Sequence, residues 1–145
     1  MARTGRPSSF TLEIAGEICG RIAAGESLNR ICKEDGMPDQ VTVYRWIAAN
    51  EDFRKIYAQA REEQAETLAD EITDLADEEP VQVVDDKGTA RVDNGWVTWQ
   101  KNRVDARKWV AAKLKPRKYG DKLDLTSDGS KVGLAININL SEDAA

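Results

Sequence analysis

The residues from Gln40 to Ala49, QVTVYRWIAA, bring Gln40, Thr42, Tyr44 and Arg45 together with two small alanines, Ala48 and Ala49. Their common chemistry is directional hydrogen bonding. An amide, hydroxyls and a guanidinium fork match the donors and acceptors at base edges and phosphates. On a helix of about 100° per residue, Val43, Trp46 and Ile47 share one arc, and Val41, Arg45 and Ala48 share the opposite one. Small alanines on the outward arc allow the helix to lie deep in a major groove. Arg30 and Lys33, just upstream, suit backbone phosphates, and Arg3 and Arg6 near the amino terminus suit the minor groove or phosphates.

The elements needed to hold that face can be read around it. Ser27 can accept a bond from the free amides of a short helix carrying Leu28, Ile31 and Cys32, and Gly36 and Pro38 mark its stop. A second helix starts near Asp39, so residues 26–50 read as a helix-turn-helix. The same pattern also suits one corner of an ordinary three-helix domain. Before it, Phe10 to Ala24 reads as a helix with Phe10, Ile14, Ile18 and Ile22 four apart, closed by Gly25. Residues 1–9, MARTGRPSS, read as a flexible arm. A unit of residues 10–50 has a small core, and support from oligomerisation is expected.

Other chemistry is poorly represented. The 145 residues contain no histidine, and no Gly-rich phosphate loop ends in Gly-Lys-Ser/Thr. Cys19 and Cys32 fall on apolar helix faces, as buried thiols do. No enzymatic activity, catalytic residue, cofactor or metal site is expected. No apolar run approaches a membrane span and no signal peptide is visible, so no membrane partner is expected and the expected compartment is cytoplasmic. The net charge of −5 is unevenly spread: residues 56–100 hold 12 acidic and 3 basic side chains, and residues 101–122 hold 9 basic and 2 acidic. Such segregation fits parts that meet different partners or different copies of the chain.

The second half of the chain is expected to build an oligomer. Glu51 to Glu78 has neither Gly nor Pro and carries an apolar stripe through Phe53, Ile56, Tyr57, Ala60, Leu68, Ile72 and Leu75, with an acidic opposite face. The stripe must be buried on another helix, in the same chain or a neighbouring copy. After Pro80, VQVVDDKGTARV reads as a short β-hairpin around Asp-Asp-Lys-Gly. Trp96 to Leu114 is a second long helix with Trp99 and Trp109 available for packing and enough Lys and Arg to pair with the acidic rod as a helical hairpin. Leu134 to Leu140, LAININL, alternates as a strand does, with Ile136 and Ile138 on one face. Its edges need partners, which equivalent strands of other copies would supply.

Two stretches together resemble a known family: MPDQVTVYRWIAANEDFRKIYAQA and RVDARKWVAAKLKPRKYGDK. They are similar to the small terminase subunits of tailed double-stranded-DNA bacteriophages, in particular those of short-tailed phages of enteric bacteria. The resemblance covers most of residues 5–122 and departs at about Val81 to Gly95, where this chain has an insertion. It implies a mainly α fold: a helix-turn-helix DNA-binding domain at 10–50, a helical hairpin for oligomerisation at 51–118, and a tail at 119–145 whose strand near 133–140 joins an intersubunit β-barrel. It implies a homo-oligomeric ring that binds the packaging site on concatemeric phage DNA in the host bacterial cytoplasm. The ring presents that site to the large terminase subunit, which has the ATPase and nuclease activities.

Two other assemblies remain compatible with the residues themselves. A dimeric helix-turn-helix repressor would use the same Arg45 face on a palindrome. A scaffold without DNA affinity would use only the long helices.

Overall fold

The computed structural model describes residues 9–121 and the backbone at 126–127 and 130–131. The helices follow in the order α1 (Leu12–Ala23), α2 (Leu28–Ile31), α3 (Gln40–Ala49), α4 (Glu51–Ala76), α5 (Asn94–Leu114) and α6 (Pro116–Tyr119). Short polar side chains begin the main helices by accepting a bond from a free backbone N–H: Thr11 from Ile14, Ser27 from Arg30, Asp39 from Thr42, Asn50 from Phe53 and Asp93 from Gly95. Asn50 alone separates α3 from α4, so its cap redirects the chain from the short helix into the long one.

The core lies at the amino-terminal end. Ile18 and Ile22 of α1, Leu28 and Ile31 of α2, Val43 of α3 and Phe53 of α4 are fully buried, with Trp46 beside them. Phe10 closes this core from outside, its ring 5.5 Å from both Trp46 and Phe53. The start of α4 is therefore part of the same packed unit as the three helices before it. Farther along, Gln64 donates to the Glu26 carbonyl at 2.8 Å and the Thr67 hydroxyl to the Ala23 carbonyl at 2.7 Å. These bonds satisfy carbonyls at the end of α1 and the loop after it, and fix α4 against both.

The chain then turns back through β1 (Gln82–Val84) and β2 (Ala90–Val92), an antiparallel pair with Val83 opposite Arg91. Gly88, at φ +79°, closes its tip, and the Asp85 carboxylate accepts from the Lys87 and Thr89 amides. α5 returns along α4. Few of its side chains are buried; Gln100 and Ala111 are. The expected charge pairing carries much of this contact: Arg103 meets Glu78 at 2.9 Å and Arg107 meets Glu71 at 2.6 Å. At the open end Lys115 and Lys118 both reach Glu66 at 2.6 Å, and the Tyr119 hydroxyl donates to the same carboxylate. These bonds hold Glu66 well below the usual carboxylate range, at about 2, with Lys115 the largest cause.

A second antiparallel pair, β3 (Thr126–Ser127) and β4 (Ser130–Lys131), follows. The strand expected near 133–140, with Ile136 and Ile138, lies outside the described residues. Helices α1 to α5 are those expected, with shifted ends, and α6 is an additional, unexpected turn after Leu114. α2 is the clearest difference: it ends at Ile31, short of Gly36, because Lys33 and Glu34 bond to the carbonyls three residues back and tighten the chain out of α-helical form.

Candidate nucleic-acid interface

Between α2 and α3 the chain passes through Gly36, at φ +87°, and the buried Met37 and Pro38. The positive φ is what lets the chain reverse within so few residues. Arg21 fixes this turn from α1. Its guanidinium donates to both oxygens of Glu26, at 2.9 and 2.6 Å, and to both of Glu34, at 2.7 and 2.6 Å. The forked donor matches two carboxylates at once. Both carboxyls are held below their usual pKa by these hydrogen bonds, and the guanidinium is pushed up. Arg21 is thereby committed to structure, and Glu34 is paired beside the presented face.

α3 turns Val43 and Trp46 into the core and Val41, Tyr44, Arg45, Ala48 and Ala49 to solvent. Val41 and Tyr44 keep 65% and 53% of their surface exposed, so the outward arc is both apolar and hydrogen-bonding. Gln40 and Thr42 are half-buried at the start of the helix, where the Thr42 amide is taken up by the Asp39 cap at 2.7 Å. Arg30 and Lys33 are exposed. An open groove between α2 and α3 is lined by Asn29, Lys33, Gln40 and Val41. The structure thus brings Lys33 and Gln40 to one groove and sets Tyr44 and Arg45 on the outer face of the helix that borders it. Arg3 and Arg6 lie outside the described residues. Asn29 was not singled out from sequence; its place between buried Leu28 and exposed Arg30 on a short capped helix is the signal for it.

Chemically, this face offers the amides of Asn29 and Gln40, one phenol, one guanidinium and few other cations, with valine and alanines that need no solvent. Such a surface suits a polar groove with methyl groups in it, such as the DNA major groove. Among the described residues no group of His, Cys, Asp and Glu side chains could hold a metal ion, and no helix is long and apolar enough to cross a membrane.

The residues expected to mediate oligomerisation divide into sets. Ala60, Leu68 and Leu75 are buried within the chain, and Tyr57 and Ile72 are half-buried. Tyr57 packs on the amino-terminal core, 6.1 Å from the Phe53 ring. Most of the α4 stripe is therefore covered in cis by α1, α3 and α5. Ile56, Trp99 and Trp109 remain exposed, at 49%, 54% and 64%.

The family described as "Bacteriophage Sf6, terminase small subunit-like" matches residues 10–126. The chain belongs to that family. It is a small terminase subunit, a protein of phage genome packaging. Three crystal structures of single-residue variants of the terminase small subunit gp1 of the bacterial virus Sf6 resemble this subunit over nearly its full length. One is 39% identical with a TM-score of 0.66, covering 90% of this chain and 100% of that one. The others are 37% and 36% identical, each with a TM-score of 0.67, covering 94% of this chain and 99% of theirs. No curated protein sequence matches. The small terminase subunit is mainly helical, as its relatives' resemblance implied, and the match extends from Phe10 through α6.

Proposed function

We propose that this small terminase subunit binds the packaging-initiation site of concatemeric phage DNA as a homo-oligomeric ring and presents it to the large terminase subunit. It has no catalytic activity of its own and works in the host bacterial cytoplasm. The observation that carries this reading is the solvent face of α3, where Tyr44, Arg45 and Val41 stand outward beside alanines while Val43 and Trp46 anchor the helix. Gln40 and Thr42 border that face, Arg30 and Lys33 contact phosphate, and Arg3 and Arg6 extend the contact along the duplex.

One such face has too few cations to bind tightly, and its affinity falls steeply with salt. Several faces displayed by one ring raise the effective concentration, so each contact can be weak. The test joins light scattering after size exclusion to duplex binding across a salt series. A ring-sized mass is expected, with Arg45→Ala lowering affinity by roughly tenfold or more and leaving the mass unchanged. A dimer would favour a repressor acting on a palindrome. A ring whose affinity is untouched by Arg45→Ala would remove α3 from the interface.

A further inference from the structure

Backbone amides after α1 take up the carbonyls of Gly20, Arg21 and Ile22. The carbonyls of Ala23 and Glu26, farther on, bond to side chains from the middle of α4: the Thr67 hydroxyl donates to Ala23 at 2.7 Å and the Gln64 amide to Glu26 at 2.8 Å. Gln64 is only 4% exposed, and a buried amide is costly unless both its ends are bonded. Its Oε1 accepts from Arg61 at 2.9 Å. The same guanidinium donates to the Tyr57 hydroxyl at 2.9 and 3.2 Å, so it is held in turn by a ring of the amino-terminal core. Arg61 thereby fixes which end of the Gln64 amide faces Glu26. The loop comes near enough for these bonds at Gly25, where a Cβ would stand 3.3 Å from Glu71 Oε1 and 3.5 Å from Thr67 Cγ2.

Glu26 is held twice. Its carbonyl is bonded by α4, and its carboxylate by Arg21, which also grips Glu34 in the turn before α3. One line of hydrogen bonds therefore runs from Gln64 through Glu26 and Arg21 to the turn that aims α3. The apolar core attaches the first three helices to α4 only from Phe53 to Ala60, a base of about 10 Å at ~1.5 Å per residue. Gln64 and Thr67 extend that base to about 21 Å, measured from Phe53 to Thr67. A longer base resists rocking of the packed unit on the rod, at positions where the core does not reach.

We propose that Gln64 and Thr67 are positioning residues for DNA binding: they set the angle at which the α3 face stands on α4. The assignment rests on the ring reading above and deepens it by naming what aligns the faces. A single face can follow a short duplex whatever its angle to the rod, so it gains nothing from these bonds. Several faces on one ring must meet successive turns of one duplex, whose groove recurs at intervals of about 34 Å. Freedom at the joint must then be lost anew at every face engaged, and a small penalty per face multiplies along the DNA.

The full chain is tested on two mixed-sequence duplexes at low salt, one of about 12 base pairs, which offers little more than one turn, and one of about 100. A double variant, Gln64→Met with Thr67→Val, keeps the bulk of both side chains and removes both donors. Its affinity for the long duplex should fall roughly tenfold, with the short duplex bound as by the parent and the assembled mass unchanged. Thr67→Val alone should lose about threefold on the long duplex, and Thr67→Ser, which keeps the hydroxyl, should match the parent. This pair carries the comparison if the double variant does not fold, as far-ultraviolet circular dichroism will show. Equal losses on both duplexes would make the bonds part of the fold of the reading face and overturn the proposal. So would unchanged binding of the long duplex, or a fall in assembled mass. A parent that binds the long duplex no better than the short one removes the ring reading and this assignment with it.

Discussion

The amino-terminal helices and the central hairpin are joined through one continuous α4, yet they are stabilised in different ways. The first region buries Ile18, Ile22, Leu28, Ile31, Val43 and Phe53 completely in a core of its own. The second buries little of α5 and closes instead through Arg103, Arg107, Lys115 and Lys118 on acidic partners. Partly exposed ion pairs stabilise weakly, whereas buried aliphatic and aromatic side chains contribute a few kcal/mol each, about 2–5 by truncation. The contrast separates a unit that can be complete within one subunit from a unit whose outer surface still has apolar area to cover. It also gives α4 two roles: its first turns belong to the packed unit, and its later turns carry the pairing surface.

The largest effect expected from a single change falls on the shared helix. Phe53→Ala removes a ring that is 1% exposed and contacts both Phe10 and Tyr57, and it should cost about 3–5 kcal/mol in denaturant unfolding. Trp109→Ala removes a larger ring from an exposed site, so the stability of a dissociated subunit should change by less than about 0.5 kcal/mol. Its effect should appear in assembly mass. Comparable losses of subunit stability from the two variants would erase the distinction between the regions.

A smaller effect separates two of the glycines that close turns, Gly36 and Gly88. Gly36 and Gly88 both have positive φ, at +87° and +79°, and a Cβ at either would meet no atom within 4 Å. Backbone strain is then the main cost of alanine, about 1–2 kcal/mol. At Gly36 the strain acts on the turn between α2 and α3, so Gly36→Ala should lower the main unfolding transition. At Gly88 it acts on an exposed two-stranded pair, and Gly88→Ala should raise hydrogen exchange around β1 and β2 with little change in that transition. A shared loss of global stability would mean that the hairpin tip is coupled to the helices.

Local rules carried much of the first region in the sequence. Ser27, Asp39, Gly36 and the spacing of Val43, Trp46 and Ile47 each act within a few residues, and helix starts, the turn and the inward arc follow from them. The β-hairpin was equally legible, because Asp85 and Gly88 specify its tip by contacts inside it. The bonds between distant residues were not. Nothing within reach of Arg21 in sequence selects Glu34, and Glu66 gathers Lys115, Lys118 and Tyr119 only after α5 has folded back. For the same reason, the apolar stripe on α4 did not reveal which of its members α1 and α5 would cover, and Ala60, Leu68 and Leu75 are buried within the chain. At the candidate interface, the outward placement of Val41, Arg45 and Ala48 was legible from the helical arc, while the groove joining Lys33 to Gln40 depends on how α2 meets α3.

The smallest expected effect belongs to the open end of the central hairpin, because Glu66 and its partners remain partly in water and are screened by it. Glu66 is lowered from 4.5 to about 2, first by Lys115, then by Lys118 and Tyr119, with desolvation opposing. A depressed folded pKa means that the unfolded chain takes up the proton first as pH falls. The contribution is therefore complete above about pH 4.5, declines between that value and about 2, and is absent below. Glu66→Gln should show a small loss of stability at pH 6 that shrinks across this window, with the parent and variant converging at its acid end. Hydrogen exchange in α6 and the last turn of α5 should rise in the variant at pH 6, and that in α1 should not. A loss that is the same at pH 6 and pH 2.5 would assign the role of Glu66 to packing, and the hairpin end would then be held as the amino-terminal core is.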